Sequence, residues 1–97
     1  MGKAETLLQG DMNLKAAVER YLESVGSFGV PMPLDRFGLT QAEVEAMLAA
    51  WEDDYHLSRH FELVPSSQAS VPAPAYSING AVYSAIIFRE SIRDVLG

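Results

Sequence analysis

Thr40 and Glu43 stand three residues apart at the head of an apolar stripe, and that arrangement constrains the fold more than anything else in the chain. A threonine at the N-cap accepts from the amide of the third helical residue, and a glutamate there reaches back to the N-cap amide. Two N–H groups that every helix start leaves without partners are thereby satisfied together. Leu39 is placed to staple onto Val44 across the cap. Behind the cap, Val44, Met47, Leu48, Trp51 and Tyr55 recur at the spacing of a helix face turned to a core. Gln41, Glu45, Ala49, Glu52 and Asp53 fall outside that stripe. The pattern predicts a helix from Gln41 to somewhere between Asp54 and Ser58, with an acidic outer side and a last turn weakened by Glu52, Asp53 and Asp54 at the negative end of the macrodipole.

An earlier helix is expected from Leu14, Ala17, Val18, Tyr21, Leu22 and Val25, which hold helical spacing for three turns. Asp11 or Asn13 is placed to cap it and Gly26 to stop it in a left-handed conformation. Residues 1–10 before it read as a flexible leader; Met1, Gly2 and Thr6 match the loose N-terminal acylation pattern without a polybasic second signal. Pro31 and Pro33 hold Val30 and Met32 extended, and Pro33 to Phe37 can make a turn or two of helix closed by Gly38. A short helix, a glycine turn and a long capped helix follow in the order of a helix-turn-helix unit.

Past the long helix, His60 to Val64 alternates, with Phe61 and Leu63 on one side and His60 and Glu62 on the other, as in a half-buried strand ended by Pro65. Ser66 to Ala75, rich in Ser, Pro and Ala, has no periodicity and reads as a loop. Tyr76 to Ile78, Asn79-Gly80 and Ala81 to Phe88 carry the best hairpin signal, because a type I′ turn needs two positive φ angles that Asn and Gly tolerate. That register sets Tyr76 opposite Tyr83 and Ile78 opposite Ala81. Plain alternation then puts Tyr83 and Ile87 on one face and Val82, Ile86 and Phe88 on the other. The competing reading makes residues 81–88 helical, since Ala81, Ala85, Phe88, Ile92 and Leu96 also keep helical spacing; the turn chemistry and the β-branched pair Ile86-Ile87 favour the strand. Ser91 to Leu96 is expected to form a terminal helix packing Ile92, Val95 and Leu96.

The fold class is therefore α+β, with helices followed by a short antiparallel sheet and a C-terminal helix. From residue 12 to 88 the element order resembles a winged helix, with Ser66 to Ala75 in the place of the wing or of a connection to it; the resemblance rests on order and not on a family motif. At 97 residues a single domain, residues 11–97, is expected, burying about 60–65% of its unfolded surface. In DNA-binding members of that architecture the second helix of the unit enters the major groove and presents Arg, Lys, Asn or Gln. Here that side offers Gln41, Glu45, Ala49, Glu52 and Asp53, and no Lys or Arg occurs between Arg36 and Arg59. The net charge of -6 also opposes attraction to phosphate backbones and to anionic lipid. Neither nucleic acid nor membrane is an expected partner.

Cofactor and catalytic chemistry find few anchors. The chain has no cysteine, which removes thiolate metal sites, disulfides and a cysteine nucleophile, and fits a cytoplasmic setting. No stretch approaches the ~18 consecutive apolar residues of a spanning helix. His56 and His60 are spaced i, i+4 with Glu52 four residues further back. On one helix, Glu52 and His60 would lie about 12 Å apart along the axis, too far to share an ion. No Gly-x-Ser-x-Gly elbow and no phosphate-binding glycine loop is present. No metal, no cofactor and no enzymatic activity is expected.

What remains is an interaction role. Trp51 belongs by period to the core; the functional alternative is that part of Trp51 or Tyr55 reaches the surface beside Glu52, Asp53 and Asp54 as an aromatic anchor for a protein partner within an acidic rim. The apolar last strand invites self-association, most simply as a symmetric dimer. The candidate interaction residues are Glu45, Glu52, Asp53, Tyr55, Ile86 and Ile87, and the expected function is a non-catalytic protein-interaction or assembly domain. The alternative is a dimeric, transcription-related winged helix that reaches DNA through Lys15, Arg20, Arg89 and Arg93.

Overall fold

In the computed structural model, which describes residues 10–68 and 75–96, the first helix, α1, spans Gly10–Val25. Asp11 and Asn13 thus lie within the helix, correcting the expectation that one of them caps it. The leader before Gly10, with its acylation pattern, lies outside the described residues. Gly26 stops the helix as expected: its φ is +86° and its N–H donates to the Leu22 carbonyl at 2.9 Å.

Leu14, Ala17, Val18 and Tyr21 bury the inner face of α1. The Tyr21 hydroxyl donates to the Val30 carbonyl and accepts from the Val30 N–H at 3.0 Å. One buried phenol therefore satisfies both backbone groups of a residue in the extended connection, which would otherwise compete for water. The chain then enters β1 (Met32–Pro33) and a 3₁₀ turn at Leu34–Phe37, closed by Gly38 at φ +76°.

Helix α2 spans Gln41–Asp53 and carries the predicted reciprocal cap. Thr40 Oγ1 accepts from the Glu43 N–H at 3.1 Å, and Glu43 Oε1 accepts from the Thr40 N–H at 2.9 Å. Val44, Met47, Leu48 and Trp51 are buried, but Tyr55 is not part of that stripe. The helix ends because Asp54 turns extended (φ -90°, ψ 111°) and uses its carboxylate to accept from the N–H groups of His56 and Leu57, at 2.9 and 3.2 Å. A short helix α3, Tyr55–Ser58, starts there. Asp54 is thus a cap and a break, and the acidic run ends the helix outright.

Strands β2 (Phe61–Pro65), β3 (Tyr76–Ile78) and β4 (Ala81–Phe88) and helix α4 (Ile92–Leu96) complete the α+β fold. Residues 81–88 are strand, and Asn79 and Gly80 adopt the two positive φ angles, 50° and 87°, that the hairpin turn requires. Ser66–Gln68 forms a 3₁₀ turn, and residues 69–74 of the expected loop lie outside the described residues. All pairings are antiparallel and all are made to β4: β2 along one edge, with β1 and β3 on the other.

The face assignment of β4 departs from plain alternation. Val64 lies opposite Ala85, whereas Pro65 lies opposite Tyr83, so Ser84 is the extra residue of a β-bulge. One inserted residue reverses the alternation beyond it. Ile86 and Phe88 face the helices on one side of the bulge; on the other side the pairs Tyr76–Tyr83 and Ile78–Ala81 do so, and Tyr76 and Ile78 are buried. Val82, expected beside Ile86, is thrown to the outer face and is 47% exposed, and Tyr83 packs against the core instead of sharing a face with Ile87.

Trp51, 3% exposed, anchors the core. Its ring centroid lies 6.1 Å from those of both Phe61 and Phe88, and Tyr21 meets Phe88 edge-on at 5.1 Å. These are offset and edge-to-face contacts, which the ring quadrupole favours over stacking. They tie α1, α2, β2 and β4 into one apolar centre, with Ile92 of α4 buried beside it.

Candidate functional site

The acidic outer side of α2 turns toward the hairpin. Glu45 Oε2 accepts from the Ser77 N–H at 2.9 Å and from the Gln41 side-chain amide at 3.1 Å, and that same amide reaches the Ala75 carbonyl at 3.4 Å. At the turn, the Asn79 side-chain amide donates to Glu52 at 2.8 Å and to Asp53 at 3.3 Å. All four carboxylates of α2 are thus occupied, Glu45, Glu52 and Asp53 by hydrogen bonds to the hairpin and Glu43 by the cap. The Ser77 N–H, and secondarily the Gln41 amide, hold the Glu45 carboxyl below the usual carboxylate range. Burial raises the Tyr76 phenol, with the negative charges of Asp35 and Glu45 adding to it.

Tyr55 stands apart from this arrangement. It is 74% exposed, because the extended Asp54 directs it away from the core. The Arg59 guanidinium lies 5.8 Å from its ring centroid and His56 packs edge-on at 5.6 Å. Glu52 and Asp53, its expected acidic companions, are bonded to Asn79 instead.

The remaining candidates lie on β4, on opposite sides. Ile86 is fully buried opposite Met32 and Leu63, so it cannot form part of a surface, which corrects its place among the candidate contact residues. Ile87 lies on the outer face. Around it the registers gather Val64 and Pro33, both opposite Ala85, and the bulge adds Val82. The strip Pro33, Val64, Val82, Ala85 and Ile87 is uncharged and crosses three strands. Glu62, opposite Ile87, is the charged residue at its border, and it accepts from Arg89 at 3.5 Å. Val82 escaped the sequence reading because nothing in a one-dimensional pattern marks a bulge, whereas Val64 follows from the alternation of β2, on the side of Glu62.

The cations of the DNA-binding alternative are surface residues. Lys15 and Arg20 lie exposed on α1, Arg89 pairs with Glu62, and Arg93 pairs with Glu90 at 3.8 Å and lies 5.1 Å from the Phe28 centroid. His60 precedes β2 and its Nδ1 is 2.8 Å from Ser91 Oγ, while His56 is exposed on α3. Among the described residues no three His, Asp or Glu side chains gather as a metal-holding group, and no helix is long and apolar enough to cross a membrane. Comparison with protein-family models, with curated proteins and with solved structures finds no match to this chain.

Proposed function

We propose that this chain is a non-catalytic, cytoplasmic assembly domain of winged-helix-like order that pairs with a second copy of itself through the outer face of its sheet. The supporting observation is the bulge at Ser84, which places Val82 on the same face as Ile87, Ala85, Val64 and Pro33. A two-fold axis opposes such a strip to itself. Self-pairing of a chain with net charge -6 is tolerable only where the contact is uncharged, and Glu62 at the border is compensated by Arg89 within the same chain. The winged-helix reading follows the order α1, β1, short turn, α2, β2, β4, with β3 as an added strand leading into β4.

Duplex binding has less support. The side of α2 that would enter a groove is acidic and bonded to β3 and its turn. Such binding also needs clustered cations to release counterions.

Sedimentation of the wild type beside Ile87→Lys and Ile86→Lys tests the proposal. The wild type is expected to dimerise at high micromolar concentration and Ile87→Lys to sediment as a folded monomer. Ile86→Lys is expected to unfold, since it places a charge in the core. A wild type that stays monomeric throughout refutes the assembly role.

A further inference from the structure

Strand β3 borders β4 on one side, and its other edge would be open to any strand that approached it. That edge is not open. Ser77 sends its N–H to the Glu45 carboxylate at 2.9 Å, and the carbonyl of the preceding Ala75 accepts from Gln41 at 3.4 Å. Two side chains one turn apart on α2 therefore supply an acceptor and a donor where a neighbouring strand would supply them. Asn79, at the end of the same hairpin, is gripped by Glu52 and Asp53. The contact between α2 and the hairpin is polar along this line, and the acceptors that α2 supplies to it are all carboxylates.

We propose that Glu45 is an acid-releasable latch that closes the outer edge of β3 against α2, and that its protonation opens this edge while the rest of the fold stays intact. A carboxylate is acceptor-only when ionised, and a hydrogen bond to it from an N–H is stronger than one to the neutral acid. The groups near the latch come from three elements. On α2 itself are Gln41, which is neutral, and further along Glu52 and Asp53; from the 3₁₀ turn comes Asp35; from β3 comes the Tyr76 phenol, neutral in this range. Among the described residues no cation touches Glu45, and its hydrogen-bond donors there are the Ser77 N–H and Gln41. Its carboxyl is held below the ordinary glutamate value. The folded pKa is depressed, so the stabilisation is present above the unfolded value and is lost as pH falls through the folded one. The core that remains, built on Trp51, Phe61, Phe88 and Tyr21, has no carboxylate among its buried residues.

Amide hydrogen exchange and amide chemical shifts followed by NMR from neutral pH into acid provide the test. Each exchange rate is referred to the intrinsic rate at that pH. The Ser77 amide is expected to titrate with a midpoint below the ordinary glutamate value and to lose about tenfold or more of its protection across that midpoint, while Tyr21 and Leu22 in α1 keep theirs. Glu45→Gln keeps an acceptor but no charge, and should abolish the titration at Ser77. Glu45→Ala should leave Ser77 weakly protected at every pH. Equal Ser77 protection in wild type and Glu45→Ala at neutral pH would overturn the proposal. So would a Ser77 titration that persists in Glu45→Gln, or loss of protection at Ser77 and in α1 at one and the same pH.

Discussion

Replacing Ser84 by alanine should stabilise this protein, which is unusual for a truncation at a buried site. Ser84 is 2% exposed and its hydroxyl has no hydrogen-bond partner among the described residues. An unsatisfied buried hydroxyl costs about 1–3 kcal/mol relative to water. Removing one oxygen forfeits a few dispersion contacts at about 0.1–0.2 kcal/mol each, and the small space left is less than a methyl group. The net gain is therefore about 0.5–2 kcal/mol. In a domain of this size each kcal/mol moves the thermal midpoint by about 4–8 °C, so the change is measurable. Urea melts followed by far-UV circular dichroism would give it directly, with an unchanged slope showing that the surface exposed on unfolding is the same. Ser84→Val, which adds volume at the bulge, should reverse the sign. A Ser84→Ala protein destabilised by 1 kcal/mol or more, on the order of a lost hydrogen bond, would refute the reasoning, because it would mean that the hydroxyl is satisfied in solution.

Two further perturbations address how the helices are fixed. Thr40→Ala and Glu43→Ala each remove half of the reciprocal cap and should cost about 0.5–2 kcal/mol in denaturant melts, Glu43→Ala at the lower end because water can reach the exposed Thr40 amide; coincident melts of Thr40→Ala and wild type would mean that the cap carries no stability. Tyr21→Phe removes the hydroxyl that serves both backbone groups of Val30 and should cost about 1–3 kcal/mol, with faster amide exchange at Val30 than in β4, and equal exchange at Val30 in the two proteins would count against the bond.

The parts of this fold that were legible are those in which a local rule and the tertiary structure agree. Thr40 with Glu43, Gly26, Gly38 and Asn79-Gly80 fix their own backbone through capping or positive φ, and each does so whatever surrounds it. The stripe from Val44 to Trp51 was legible because a helical period needs no knowledge of its neighbours. Tyr55 kept that period and still left the core, since Asp54 directly before it could cap a new helix as easily as continue the old one. The candidate surface was half legible for a similar reason. Its residues are apolar on a strand, but which of Val82, Tyr83, Ile86 and Ile87 face outward is decided by a bulge opposite Pro65, a property of two strands paired. The acidic side of α2 was read as a surface because its partners, Ser77 and Asn79, lie 32 and 27 residues away from Glu45 and Glu52.

Every described strand pairs with β4 and none with another, and this has a consequence for the order of events during synthesis. Met32 waits for Ile86, and Phe61 for Phe88. Until residues 81–88 have left the ribosome no ladder can form, and the chain can hold only its helices. Such late, long-range closure slows folding relative to a meander whose strands pair in succession. In the interval Phe61, Leu63 and Tyr76 have no sheet to enter, and a chaperone that recognises short apolar segments would have its opportunity there.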